Sequence, residues 1–175
     1  MHIKKKLTSD YIFDQLYKLS LRAYKENEVP VSSLIVDPVL NKILSKSHNQ
    51  NIKKNNPCAH AEIESILKAC KILKKPRLDG LDLYTSLEPC LMCSSVIFQT
   101  KLKRVYFCIE DKKNGALINN YKLSFKVHLN HKLEVYYGFH QDKFSKILKK
   151  FFKLKRKQLY SSPTNISSVI FIFPI

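Results

Sequence analysis

The stretch "LYTSLEPCLMCSSVI", residues 83–97, decides the fold because it joins a strand directly to a helix. Residues 81–87 are typical of a short strand bounded by turn residues. Pro89 suits the first turn of a helix, so the residues that follow it are predicted to be helical. Cys90 and Cys93 are three residues apart at that helix start, where both sulfurs share one face.

The same alternation continues on both sides of this stretch. The sequence predicts helices over 9–26, 60–73, from 89 onward and 141 to about 160, and strands over 31–37, 42–48, 81–87, 104–110 and 133–139. The first two strands form a hairpin. The later alternation of strands and helices favours a three-layer α/β/α sandwich with parallel pairing late in the sheet. We expect one domain over residues 1–160 and an unassigned tail over 161–175.

Two of the predicted helices have apolar faces that would pack on the sheet. In the helix over 60–73 we expect this face to consist of Ile63, Ile66, Leu67 and Cys70. In the C-terminal helix the apolar side comprises Phe144, Ile147, Leu148, Phe151, Phe152 and Leu154. The rest of that helix is strongly basic.

The net charge limits the kinds of partner. The chain has 175 residues, of which 31 are basic and 14 acidic, and its formal charge is +17. A globular protein this basic suits a polyanion, and nucleic acid or an anionic membrane surface are the candidates. The alternative is a solvated lysine-rich surface without such a partner. Of these possibilities we favour nucleic acid as the partner.

The cysteines favour metal binding over disulfides. There are five of them, an odd number, and the start "MHIKKKLTSD" lacks the apolar run of a signal peptide. Free thiols or metal ligands are therefore expected. No apolar run approaches the roughly 18 residues that a membrane span requires, so we expect a cytoplasmic protein without membrane contact.

A second motif, "NPCAHAEIES" at residues 56–65, supplies the third ligand. His60 opens a predicted helix, and with Cys90 and Cys93 it makes three protein ligands for zinc, with the fourth position open. Glu62 can then take a proton from a zinc-activated water and return it to a leaving group. Ala61 between them is small, which leaves room for a base to approach.

The combination of the two motifs is more specific than either alone. C-x-x-C by itself fits a redox pair, a structural zinc site or chance. H-A-E followed by P-C-x-x-C matches the signature of zinc-dependent nucleobase deaminases.

The sequence resembles the bacterial tRNA-specific adenosine deaminases of the cytidine/deoxycytidylate deaminase superfamily. The segments that carry the resemblance include "AYKENEVPVSSLIVD", "NPCAHAEI", "LYTSLEPCLMCSSVI", "RVYFCIEDKKNGA" and "FFKLKRK". It implies a mixed five-stranded sheet, a homodimer and one Zn²⁺ per subunit, held by His60, Cys90 and Cys93. It also implies that Glu62 shuttles protons while hydroxide attacks C6 of adenine, which converts the wobble adenosine of an anticodon, typically in an arginine tRNA, to inosine.

The resemblance extends to residues that would contact the tRNA anticodon stem-loop. Six further residues match substrate positions of the family: Asn49 and Val29 at the target nucleoside, Asp111 and Lys113 near flanking nucleotides, and Phe152 and Lys153 on the C-terminal helix against the loop. Ser32 departs from the family, because glycine usually follows "EVPV".

Two other functions remain open at this point. The same chemistry could act on a free nucleobase or nucleoside (cytidine, cytosine or guanine), although such a substrate needs no long cationic surface. The second function is non-enzymatic: the protein would be a structural zinc module or an RNA-binding protein. It is less favoured because structural zinc sites usually have four protein ligands.

Overall fold

The computed structural model describes residues 7–126 and 131–161. Its elements in chain order are α1 (Ser9–Lys25), β1 (Ser32–Asp37), β2 (Lys42–His48), α2 (Asn51–Lys54), α3 (Ala61–Leu73), β3 (Asp82–Leu87), α4 (Leu91–Gln99), β4 (Arg104–Ile109), a 3₁₀ turn (Leu123–Phe125), β5 (Glu134–Tyr137) and α5 (Gln141–Ser161). Every predicted helix and strand is present. The sequence prediction missed α2 and the 3₁₀ turn, both too short to show a periodic pattern. Apart from Ser161, the predicted tail lies outside the described residues.

The five strands form one mixed sheet in the order β2-β1-β3-β4-β5. β1 pairs antiparallel with β2 and β3, whereas β4 pairs parallel with β3 and β5. The predicted hairpin and the predicted late parallel pairing are therefore confirmed. Since β3 and β4 run in the same direction, α4 crosses between them on one face of the sheet.

Two hydrophobic cores lie on opposite faces of the sheet, as strand alternation requires. On one face, Ile66 of α3 and Ile97 of α4 pack with Ile35 and Leu83. On the other, the first helix and α5 pack over a set of buried residues that comprises Ile12, Phe13, Leu16, Leu34, Val36, Cys108 and Phe144. The predicted α/β/α layering is confirmed.

The predicted apolar face of α3 is confirmed for Ile66 and Cys70, which pack in the core, but is wrong for Leu67, because the helix is rotated. Leu67 is 59% exposed, whereas Glu62, Ser65, Ile66 and Ala69 are buried. Ser65 hydrogen-bonds to Ser33 of β1, which holds this side of the helix on the sheet. The helix thus buries three polar residues, Glu62, Glu64 and Ser65, in preference to Leu67.

Most of the predicted apolar side of α5 is buried against α1. The ring of Phe144 packs edge-on against Tyr17 at a centroid distance of 5.4 Å, and Phe151 packs against Tyr24 at 6.2 Å. Leu154 is 43% exposed, contrary to expectation, because α1 ends at Lys25 and covers no further turn of α5.

Among residues 7–126 and 131–161, no helix has both the length and the apolar character needed to cross a membrane.

Candidate active site

The N-termini of α3 and α4 meet at the site. His60 is the N-cap residue of α3 and Cys90 is the N-cap residue of α4, and neither side chain caps its own helix. Both have extended backbone conformations, with ψ values of 152° and 174°. Cys93 lies in the first turn of α4 and is fully buried. The predicted positions at helix starts are therefore confirmed.

The three side chains have the geometry of a metal site. Nδ1 of His60 is 3.6 Å from Sγ of Cys90 and 3.5 Å from Sγ of Cys93. All three donor atoms lie within 4.8 Å of one another. A tetrahedral zinc ion with ordinary bond lengths would separate its nitrogen and sulfur ligands by about 3.6 Å. The donor set and its spacing therefore fit zinc, and a tetrahedral ion bound by three protein ligands keeps its fourth position open.

The thiols are polarised by each other and by His60. The pKa of Cys90 is lowered to about 4, chiefly because the Cys93 thiol hydrogen-bonds to it and also because of His60. That same hydrogen bond, together with burial, raises the pKa of Cys93. The pKa of His60 is raised by its hydrogen bond to Cys90. One thiolate is thus present at neutral pH, whereas the Cys93 proton must leave when a metal binds.

Glu62 is a buried carboxyl group beside this cluster. It is 3% exposed, and burial raises its pKa to about 7. It lies in the first turn of α3, two residues after His60. Oε1 lies 3.4 Å from the hydroxyl of Thr85. No group in the described part of the chain makes a hydrogen bond of ordinary geometry to Oε2.

Asn49 and Val29 lie next to the start of α3. Oδ1 of Asn49 accepts a hydrogen bond from the backbone N–H of Ala61 at 3.1 Å. The backbone N–H of Asn49 donates to the carbonyl of Val31, two residues beyond the half-buried Val29. The structure thus brings Asn49 and Ala61 into contact at the metal cluster, with Val29 in the adjoining segment.

Asp111 and Lys113 lie in a loop that is tied to the Cys90 motif by Glu88. The Glu88 carboxylate is 2% exposed and accepts hydrogen bonds from the backbone N–H groups of Asp111, Ile118 and Asn119 at 2.9–3.1 Å. Gly115 passes so close that a side chain there would overlap the carboxylate. Sequence reasoning missed this anchor, although an acidic residue at the end of a buried strand was a usable signal.

Phe152 and Lys153 lie away from the metal cluster in the fold. They are on α5, which packs on α1 and β4. The first helix and α5 cover one face of the sheet, whereas α3 and α4 cover the other. Lys153 is exposed and Phe152 is half-buried. A substrate that reached both the cluster and these two residues would have to extend around the end of the sheet.

The fold and site place the chain in a class of zinc-binding deaminases. Residues 7–109 match the family described as the cytidine and deoxycytidylate deaminase zinc-binding region. This segment contains all three candidate metal ligands and Glu62. The chain belongs to the cytidine and deoxycytidylate deaminase family.

The similar proteins include enzymes named tRNA-specific adenosine deaminase. The chain is 40% identical to the tRNA-specific adenosine deaminase of Rickettsia bellii (strain RML369-C), over 75% of this chain and 90% of that protein. It is 33% identical to the enzyme of the same name from Aquifex aeolicus (strain VF5), over 86% of this chain and 97% of that protein.

Solved structures of deaminases resemble this chain in fold. One from a study of A-to-I editing by tRNA:A34 deaminases at the wobble position of transfer RNA has a TM-score of 0.76 and 30% identity, covering 79% of this chain and 99% of that one. A guanine deaminase from Bacillus subtilis is less similar, with a TM-score of 0.57 and 26% identity, covering 86% and 94% of the two chains.

Replacing His60 or Cys93 with alanine is expected to abolish stable zinc binding, because two remaining ligands cannot hold the ion. Zinc retained after dialysis, measured by plasma mass spectrometry, should be at least tenfold below that of the unmodified protein. Cys108→Ala removes a thiol that is buried in the opposite core and serves as the control. Equal zinc in the His60, Cys93 and Cys108 variants would contradict the assignment.

Proposed function

We propose that the protein hydrolytically deaminates adenosine to inosine at the wobble position of a tRNA anticodon. The observation that carries this proposal is the pairing of a three-donor metal cluster with a buried carboxyl group whose Oε2 has no hydrogen-bond partner among the described residues. The resemblance to enzymes named tRNA-specific adenosine deaminase supplies the substrate class.

His60, Cys90 and Cys93 would hold one zinc ion per subunit. Zinc bound there supplies a Lewis acid that lowers the pKa of a coordinated water to about 7 and so makes a nucleophile at neutral pH. The protein's contribution is to fix the three ligands on two helix ends, which are rigid elements. It also keeps two thiols on one helix face, so that both can bind the same ion.

Glu62 would carry the proton through the reaction. A carboxyl group with a pKa near 7 can accept a proton from the attacking water and release it again at little cost. Its Oε2 atom, which has no partner in the described part of the chain, is the oxygen available for this work. One proton of the water would go to N1 of the adenine ring, where it stays in inosine, and the second would go to the amine, which leaves as ammonia.

The tRNA anticodon stem-loop would be held by base contacts near the cluster and phosphate contacts farther away. We propose that Asn49, Val29 and Ala61 line the pocket for the flipped adenine. A base in a single-stranded loop is the cheapest to extrude. Asp111 and Lys113 would contact flanking nucleotides, and Phe152 and Lys153 the rest of the loop. An arginine tRNA is the proposed substrate, on the resemblance alone.

The protein would act as a homodimer. The described surface of α3 and α4 exposes three large apolar side chains, with Leu67 59%, Ile72 58% and Leu91 41% exposed. Exposed apolar residues on two adjacent helices are typical of an interface between subunits. This arrangement also gives a reason for the exposure of Leu67, which faces away from the sheet.

We further propose that residues 1–160 constitute the deaminase domain, that residues 161–175 are an appendage to it, and that the enzyme works in the cytoplasm, where tRNA is found.

Glu62→Gln should abolish inosine formation on an anticodon stem-loop while leaving zinc in place. Glutamine keeps the shape of the side chain but cannot accept or release a proton near neutral pH. Reverse transcription reads inosine as guanosine, and the rate should fall by at least about 10³-fold, within the range that a general acid–base group can supply. Glu64→Gln, two residues away on α3, is the matched control and should retain activity. Substantial activity in Glu62→Gln would refute the assigned role.

Substrate class can be tested by comparing the stem-loop with free adenosine, cytidine, cytosine and guanine. We expect turnover of the stem-loop alone, and Lys153→Glu should raise its KM several-fold with little change in kcat, because it replaces an attraction to phosphate with a repulsion. Asp142→Lys, at the other end of α5, is a charge control. Turnover of free bases only would favour the alternative, a deaminase of small molecules.

Leu67→Glu should convert the dimer to a monomer, because a charge buried in an apolar interface is costly. Sedimentation equilibrium would report the mass. Val39→Glu, which changes an 89% exposed residue in the turn between β1 and β2, should leave the dimer intact. A monomeric unmodified protein would contradict the proposed dimer.

A further inference from the structure

Behind Glu62 lies a cluster of buried hydroxyl groups, defined here as Ser33, Ser45, Ser65 and Thr85. The hydroxyls of Ser33 and Ser65 are 2.8 Å apart, and that of Ser65 donates to the carbonyl of Glu62 at 3.0 Å. The Ser45 hydroxyl donates to the carbonyl of Ser65 at 2.6 Å. All four residues are buried. The cluster therefore joins β1, β2 and β3 to the first turn of α3.

Within this cluster, Thr85 is the one member with a hydrogen bond to the Glu62 carboxylate. Its side chain is fully buried on β3, and the residue pairs with Ser33 of β1 in the sheet. Its hydroxyl lies 3.1 Å from the carbonyl of Ser32 and 3.4 Å from Oε1 of Glu62. A hydroxyl has one proton, so it donates to one of these acceptors at a time. The Ser32 carbonyl is the nearer acceptor in the structure, whereas a bond to an ionised carboxylate is stronger at equal length.

The two oxygens of Glu62 consequently have different surroundings. Oε1 lies against Thr85, whereas Oε2 is buried and has no hydrogen-bond partner among residues 7–126 and 131–161. The terminal torsion of a glutamate is soft, so burial alone does not fix which oxygen faces the cluster. Thr85 is stiff, because its side chain is β-branched and stands in a central strand.

We propose that Thr85 is a positioning residue for the deamination reaction: its hydroxyl holds Oε1 of Glu62 and so presents Oε2 to the reacting water and base. This inference rests on the proposed function of Glu62. The competing explanation is that the Thr85 hydroxyl only stabilises the sheet through the Ser32 carbonyl. That explanation predicts a change in stability without any specific loss in the chemical step.

The first experiment compares three variants, each in the full-length zinc-loaded protein. Thr85→Val removes the hydroxyl at nearly constant volume, and Thr85→Ser restores it. Ser33→Ala removes a hydroxyl of the same cluster that does not contact the Glu62 carboxylate. We expect Thr85→Val to lower kcat on the stem-loop about tenfold or more, which corresponds to one ordinary hydrogen bond, while KM and zinc content stay within about twofold.

Recovery of most of kcat in Thr85→Ser, with Ser33→Ala within about threefold of the unmodified enzyme, would support the proposal. An unchanged kcat in Thr85→Val would overturn it. An equal loss in Ser33→Ala would also overturn it, because the effect would then belong to the packing of the whole cluster.

A second measurement does not depend on activity. Urea unfolding of the zinc-loaded Thr85→Val, Glu62→Ala and doubly substituted proteins gives a double-mutant cycle, because alanine leaves no oxygen to accept the Thr85 hydroxyl bond. If the two side chains interact, the effect of the double substitution on the unfolding equilibrium constant should differ from the product of the two single effects by about threefold or more. Independence would overturn the proposal even if kcat falls. If the unmodified protein forms no inosine, the proposed function fails, whereas the cycle still decides whether Thr85 holds Glu62.

Discussion

The structure depends on one constraint: two helices must begin close together, beyond the carboxyl end of the central strand β3. His60 and Cys90 are both N-cap residues, and their side chains approach within 3.6 Å. A cap residue has an extended backbone, so its side chain projects beyond the helix end and does not lie along its flank. The mixed sheet supplies the frame for this meeting, since α3 packs across β1, β2 and β3 while α4 directly follows β3.

The Glu62 carboxylate is buried next to the point where α3 and α4 begin. Its burial explains much of the polarity of the surrounding residues. Glu62 and Glu88 are each less than 4% exposed, and a buried carboxylate is costly unless it is hydrogen-bonded or protonated. The two residues meet this cost differently. Glu88 accepts several hydrogen bonds from the loop over 111–119 and organises it. Burial raises the pKa of Glu62 to about 7, which leaves it able to exchange a proton.

Much of this arrangement could be predicted from the sequence, because it rests on local patterns. Strands and helices follow from periodicity, and the H-A-E and P-C-x-x-C motifs identify the candidate ligands and Glu62 as neighbours. The rotation of α3 could not be predicted. Hydrophobicity placed Leu67 inside, whereas the hydrogen bond between Ser65 and Ser33 turns a polar side to the sheet. Such a bond joins residues 32 positions apart in the chain, and no local pattern encodes it.

The contact between Thr85 and Glu62 could not be predicted for the same reason, since the two residues are 23 positions apart in the chain. The central claim is that zinc binds with three protein ligands and one open position. X-ray absorption spectroscopy of the zinc-loaded protein tests it most directly. The account predicts two sulfur scatterers at about 2.3 Å and two lighter nitrogen or oxygen scatterers at about 2.0–2.1 Å. Three or four sulfur scatterers would contradict it, because a further cysteine would then close the site.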